Sequence, residues 1–276
     1  AMVFENPNLA SREAAMVASK LETDAINLLA EMVGLDPTPT RGHFTSGGTM
    51  ANFEAVWRAR YRLDHWLAMA SFLRIEGHAN DSLTQLAHCG WSRFEELRAE
   101  TGFTDQDLMP YSAVLQGPLA ADRRLREKLG EPWPEPVMLV PGNKHYSWPK
   151  AANVFGMGAD AVWPCALDAH GRLNPESVGE QIDRAIASDR PVMMVVSVAG
   201  TTELGMVDPV DEVNVILQRY REDKGLHIWH HVDAAYGGYL CSTLRDDAGS
   251  CQLSQPVQRA LNALPGANSI TLDPHK

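Results

Sequence analysis

The chain reads as an α/β protein with a mainly parallel sheet covered by helices on both faces. Three observations carry that reading. From residue 137 onward, apolar strand-like runs alternate with helical patterns. The runs, such as Val192 through Val198, are almost continuously apolar, as strands buried on both faces must be. The intervening segments repeat apolar residues at helical spacing, as Val178, Ile182, Ala185 and Ile186 do.

In chain order, Ala14, Val17, Leu21, Ala25, Leu28 and Met32 recur at helical spacing, and Gly34 stops that helix. Asp36-Pro-Thr-Pro-Thr is an extended linker. Thr45-Ser-Gly-Gly-Thr-Met-Ala-Asn opens a second helix that should reach about Arg62. Residues 64–136 hold helical patches over 83–89, 93–100 and 119–129, broken by glycine and proline, with no clear strand. They are expected to form a helical insertion. Strands are then expected over 137–140, 161–163, 192–198, 228–232 and 269–272, with helices over 148–155, 174–188 and 209–222. This divides the chain into an N-terminal helical segment, residues 1–44, and a large domain, residues 45–276.

Composition narrows the function classes. A net charge of −11 without a Lys/Arg cluster argues against nucleic acid as partner. No apolar run approaches the roughly 18 residues of a membrane span. The chain opens without a signal-peptide pattern. Cys89, Cys165, Cys241 and Cys251 form no CxxC pair, so a reduced, cytoplasmic setting is expected.

Ligands of such sheets sit beyond the carboxyl ends of the strands. Four places there could carry chemistry. Thr45-Ser46-Gly47-Gly48-Thr49 precedes a helix, where glycines admit an anion and the helix start offers free N–H groups; it could equally be an ordinary cap on a glycine turn. The loop matches neither phosphate-binding glycine signature of nucleotide sites. His145 follows the 137–140 run and could stack on a ring or simply cap a surface turn. Thr201 and Thr202 follow 192–200 and could donate to a ligand or hold their own turn. His227, His230, His231 and Asp233 invite a metal, yet His230 and His231 alternate across a strand and no third-ligand spacing follows, so no metal site is expected. A serine hydrolase is disfavoured by the lack of a G-x-S-x-G elbow.

The most informative pair is Asp233, in His-Val-Asp-Ala-Ala-Tyr-Gly-Gly, and Lys276, in Asp-Pro-His-Lys. Each follows an apolar run. An amine and a carboxylate at neighbouring strand ends are what pyridoxal phosphate needs: the amine binds the cofactor covalently, and the acid keeps the ring nitrogen protonated so that the ring accepts electrons.

Together, Asp233-Ala-Ala-Tyr-Gly-Gly, Asp273-Pro-His-Lys, Thr45-Ser-Gly-Gly-Thr-Met-Ala-Asn and Lys144-His-Tyr-Ser-Trp-Pro-Lys resemble the group II pyridoxal-phosphate amino-acid decarboxylases. Within that group the chain most resembles bacterial tyrosine decarboxylases, through the Asn6-Pro7-Asn8 start, Lys-His-Tyr-Ser-Trp and the long insertion. The resemblance implies the large domain of a fold-type-I enzyme, with a sheet of the seven-stranded type. It further implies that Lys276 holds the cofactor, that Asp233 pairs with its ring nitrogen, and that Ala235 and His145 lie on opposite ring faces. Ser46, Gly48 and Thr49 would hold the phosphate with Asp273 and His275 near it, Thr201 would lie by the ring substituents, and Asn8 would touch substrate. Family members also carry a preceding segment and a small C-terminal domain after the lysine, which are not within these residues. The implied product is an amine with carbon dioxide, made by a cytoplasmic homodimer from an aromatic amino acid, or from glutamate or aspartate. Another fold-type-I reaction, or a large-domain fragment without turnover, are the alternatives.

Overall fold

The computed structural model describes residues 15–244 and 251–274. Helix α1 (Met16–Met32) ends at Gly34, whose φ of 88° closes it. Helix α2 (Gly48–Ile75) is followed by α3 (Leu83–Leu86), α4 (Gly90–Thr101), α5 (Asp105–Leu108), α6 (Ala113–Gln116) and α7 (Pro118–Leu129). Strands and helices then alternate: β1 (Val137–Pro141), α8 (Ser147–Val154), β2 (Val162–Cys165), α9 (Pro175–Ala187), β3 (Val192–Val198), α10 (Val210–Lys224), β4 (Trp229–Ala234), α11 (Gln255–Asn262) and β5 (Ser269–Leu272).

All five strands are parallel, in the order β2-β1-β3-β4-β5. The sheet therefore has five strands among the described residues, where the resemblance implied a seven-stranded type. Alternation along β1 splits the core. Met138 and Val140 pack with α2, the helices after it and α8, while Val137 and Leu139 pack with α9 and α10. A third cluster joins Val232 and Ala234 of β4 to Ala260 and Leu261 of α11. Burial on both faces is why these strands lack polar alternation.

One boundary differs from the sequence expectation. Helix α2 does not stop near Arg62 but runs 28 residues, because Trp66, Leu67, Met69 and Leu73 continue an apolar run that is fully enclosed. Residue 64 is thus inside a helix. There the buried Asp64 carboxylate accepts the backbone N–H groups of Ala113 (2.7 Å) and Val114 (3.2 Å), capping α6 and fastening the helical segment to α2.

Candidate active site

Every site-forming loop leaves the carboxyl end of a strand or enters the start of α2. The register sets Val198 of β3 beside Asp233 of β4, and Asp233 beside Thr271 of β5. A cavity of about 280 Å³ lies at that edge, lined by Ser46, Gly48, Thr49, His145, Thr201, Asp233, Ala235 and Asp273 among others. The structure thus brings together the eight expected site residues that it describes. Asn8, His275 and Lys276 lie outside the described residues.

The start of α2 is built for an anion. Gly47 has φ 144° and ψ 169°, a backbone region open essentially to glycine alone. It turns the chain so that α2 begins at Gly48, and the first amides of a helix have no intrahelical acceptor. Gly48 matters for a second reason, since a β-carbon there would sit 3.2 Å from the Ala235 methyl and 3.4 Å from Asp273 Oδ2. The loop from β3 is equally close. A β-carbon on Gly237 would fall 2.4 Å from the Ala199 carbonyl oxygen, which the Gly237 N–H meets at 2.9 Å. That bond joins the Thr201 and Ala235 loops.

Asp233 is 5% exposed at the end of β4. Its Oδ2 accepts from Asn52 Nδ2 at 2.7 Å and its Oδ1 from the Ala235 N–H at 3.3 Å. Burial pushes its pKa up, and the Asn52 and Ala235 donors and the nearby His145 oppose that shift. A buried carboxylate so placed gains most from a cationic partner. Asn52 also donates to Ser147 Oγ at 3.0 Å, and Ser147 Oγ lies 3.0 Å from His145 Nδ1.

Thr201 lines the cavity and also holds its own turn, because its hydroxyl accepts the Met206 N–H at 3.0 Å. The turn reading of that residue is thus met, and its place on the cavity wall leaves the ligand reading as an expectation. The histidines of β4 are used inside the fold. His230 Nε2 meets Ser197 Oγ at 2.9 Å and its Nδ1 meets Asn214 at 2.8 Å, while His231 Nδ1 meets Ser269 Oγ at 2.8 Å. Burial lowers their pKa values to about 4 and about 3. Among the described residues no group of three or more His, Cys, Asp or Glu side chains could hold a metal.

Sequence reasoning missed Asn52 and Ser147. The signal for Asn52 was available: once α2 begins at Gly48, a residue three positions after Thr49 lies on the same helix face. Ser147 had none, since its role depends on a contact with a residue 95 positions away.

The residues present fit pyridoxal phosphate. The cavity is near the lower end of the roughly 300–1,000 Å³ of small-ligand sites. It joins an anion-ready helix start, a cradle that a side chain at Gly48 would crowd, and a buried acid suited to a ring cation.

Comparison with known proteins agrees. The family model described as the pyridoxal-dependent decarboxylase conserved domain matches residues 113–276. The chain is 30% identical to the L-tyrosine decarboxylase of Levilactobacillus brevis, aligned over 100% of this chain and 45% of that protein. It is 29% identical to the aspartate 1-decarboxylase of Aliivibrio fischeri, over 100% of this chain and 41% of the relative. The chain thus spans less than half the length of either. Among solved structures, the glutamate decarboxylase domain of a Vibrio parahaemolyticus diaminobutyrate-pyruvate transaminase and L-2,4-diaminobutyrate decarboxylase superposes with a TM-score of 0.63 at 24% identity. That match covers 100% of this chain and 44% of the other. Among the described residues no helix is long and apolar enough to cross a membrane. With the helix-start cradle, the buried strand-end acid and the family match in agreement, the chain belongs to the pyridoxal-dependent decarboxylase family, whose cofactor is pyridoxal phosphate.

Proposed function

We propose that the protein containing this chain removes the carboxylate of an L-amino acid as carbon dioxide, releasing the amine, with an aromatic substrate, tyrosine first. The observation that carries the reading is Asp233, buried at a strand end and held by Asn52 at the floor of a cavity that opens onto the α2 start. Bound pyridoxal phosphate supplies an electron sink for the bond that breaks. Asp233 holds a proton on the ring nitrogen, which keeps that sink cationic. The amides of Gly48 and Thr49, with the Ser46 and Thr49 hydroxyls, receive the phosphate. His145 and Ala235, both on the cavity wall, would hold the ring. Lys276, three residues beyond Asp273 in sequence, supplies the amine that carries the cofactor between turnovers.

The substrate preference draws on the tyrosine decarboxylase relatives and on the charge of the cavity. A second substrate carboxylate needs a cation, because a buried unpaired charge is costly. No Arg or Lys is among the described residues that line the cavity, whereas Glu203, Asp233 and Asp273 are. Arg41 is exposed and donates to the Thr38 and Thr40 carbonyls, and Lys150 lies over the Tyr146 ring. Neither lines the cavity, and Arg12 is outside the described residues. The similarity to an aspartate 1-decarboxylase keeps an acidic substrate as the second reading. We also propose a homodimer and a cytoplasmic setting. The test is carbon dioxide release by the full-length enzyme across an amino-acid panel. Tyrosine should lead. Release from aspartate or glutamate alone would refute the aromatic preference, and release from none would refute the reaction.

A further inference from the structure

We infer that Asn52 and Ser147 form a directed hydrogen-bond chain from Asp233 to His145, and that this chain fixes His145 in the tautomer with its proton on Nε2. The inference rests on the proposed function for its effect on turnover, and adds two positioning residues to that site.

The direction follows from the charged end. A carboxylate only accepts, so the Asn52 atom 2.7 Å from Asp233 Oδ2 is its amide nitrogen; the opposite rotation would oppose two oxygens at a buried contact. The second hydrogen of that nitrogen goes to Ser147 Oγ at 3.0 Å. Ser147, having accepted, has its own hydrogen left for His145 Nδ1 at 3.0 Å. The Ser147 backbone N–H also donates to Nδ1, at 3.3 Å. A ring nitrogen facing two donors is an acceptor, so neutral His145 carries its hydrogen on Nε2. Nothing competes from solvent, since Asn52 and Ser147 are 1% and 0% exposed. The Asn52 Oδ1 atom is buried without a hydrogen-bond partner, so Asp233 and Ser147 alone set the amide's rotation.

An amide does not pass protons under these conditions. The chain therefore orients its two ends and transfers nothing between them. Asp233 stays aimed into the cavity, and His145 keeps one fixed edge bound.

The test is ¹⁵N NMR of ring-labelled histidines in the full-length, cofactor-free protein, with His145 identified from the spectrum lost in His145→Gln. The expected result is an unprotonated Nδ1 and a protonated Nε2. Asn52→Leu, close in shape and without an amide, leaves the Ser147 hydroxyl undirected, so the Nε2–H preference weakens toward what the backbone N–H alone sustains. Ser147→Ala likewise removes the hydroxyl donor and leaves only the 3.3 Å backbone N–H, weakening the preference, and Ser147→Thr restores it. In the loaded enzyme Ser147→Ala should lower kcat about tenfold with KM unchanged. Wild-type His145 protonated on Nδ1, or a tautomer ratio unchanged in both Asn52→Leu and Ser147→Ala, overturns the inference. A wild-type enzyme that releases no carbon dioxide removes the decarboxylase reading instead, and leaves the tautomer result to decide this one.

Discussion

Gly47→Ala isolates the backbone cost of the anion cradle. A β-carbon at this position meets nothing within 4 Å, so crowding contributes no penalty. What remains is the backbone itself, at φ 144° and ψ 169°, where a non-glycine residue costs about 1–3 kcal/mol. That cost must emerge in one of two measurements. If the loop keeps its shape, the folded protein loses about 1–3 kcal/mol of stability. If the loop relaxes, the Gly48 and Thr49 amides turn away from the cavity, and cofactor affinity falls by about 5- to 150-fold, the same energy read as a binding constant. The assay is an absorbance titration of pyridoxal phosphate into cofactor-free full-length protein, paired with thermal unfolding. Gly77→Ala is the control. Its φ is 75°, its surroundings are equally open, and it follows the far end of α2, so it should cost about 1–2 kcal/mol of stability and leave the cofactor Kd unchanged. Wild-type Kd together with wild-type Tm in Gly47→Ala would refute the cradle.

Asp233→Asn should still take up cofactor but lose more than about 100-fold in kcat, equivalent to about 2.7 kcal/mol of transition-state stabilisation; activity within a few-fold of wild type would contradict its role as the ring-nitrogen partner. Lys276→Ala should abolish the visible chromophore that borohydride bleaches, and a retained chromophore would move the covalent link to another lysine. Asp208 is fully buried, accepts the Leu173 and Val198 N–H groups at 2.7 Å each, and burial raises its pKa to about 6. Its contribution to stability is therefore full below about pH 4 and lost as pH rises through about 6, by about 3 kcal/mol. His230 and His231, with lowered values, act in the opposite direction over overlapping pH, so the measurement is the difference in unfolding free energy between Asp208→Asn and wild type at pH 4.5 and pH 7. A difference that does not change with pH would remove Asp208 from the balance.

The alternating half of the fold was legible because its strands are buried on both faces, and burial leaves a record in composition: Val192 through Val198 could be little else. The site followed from topology, since Asp233, His145 and Thr201 each come just after such a run. What escaped was tertiary. The length of α2 is set by the core that encloses Trp66 and Leu73, and a pattern apolar on all sides has no stripe to read. Asn52 and Ser147 acquire meaning only when the fold brings Asp233 and Ser147 to the two hydrogens of the Asn52 amide, and no local pattern announces a partner 181 residues away. Seven strands were implied by resemblance alone, and five are found among the described residues.

Helix α2 is a single shaft serving two masters. At about 1.5 Å per residue, roughly 24 Å of it separates Gly48 from Asp64, and a helix transmits axial load with little give. At its start, its amides and Asn52 set the floor and rim of the cavity; past its middle, Asp64 grips the start of α6. Residues 64–136, none of which lines the cavity, are thus joined through one rigid element to the amides and Asn52 that do.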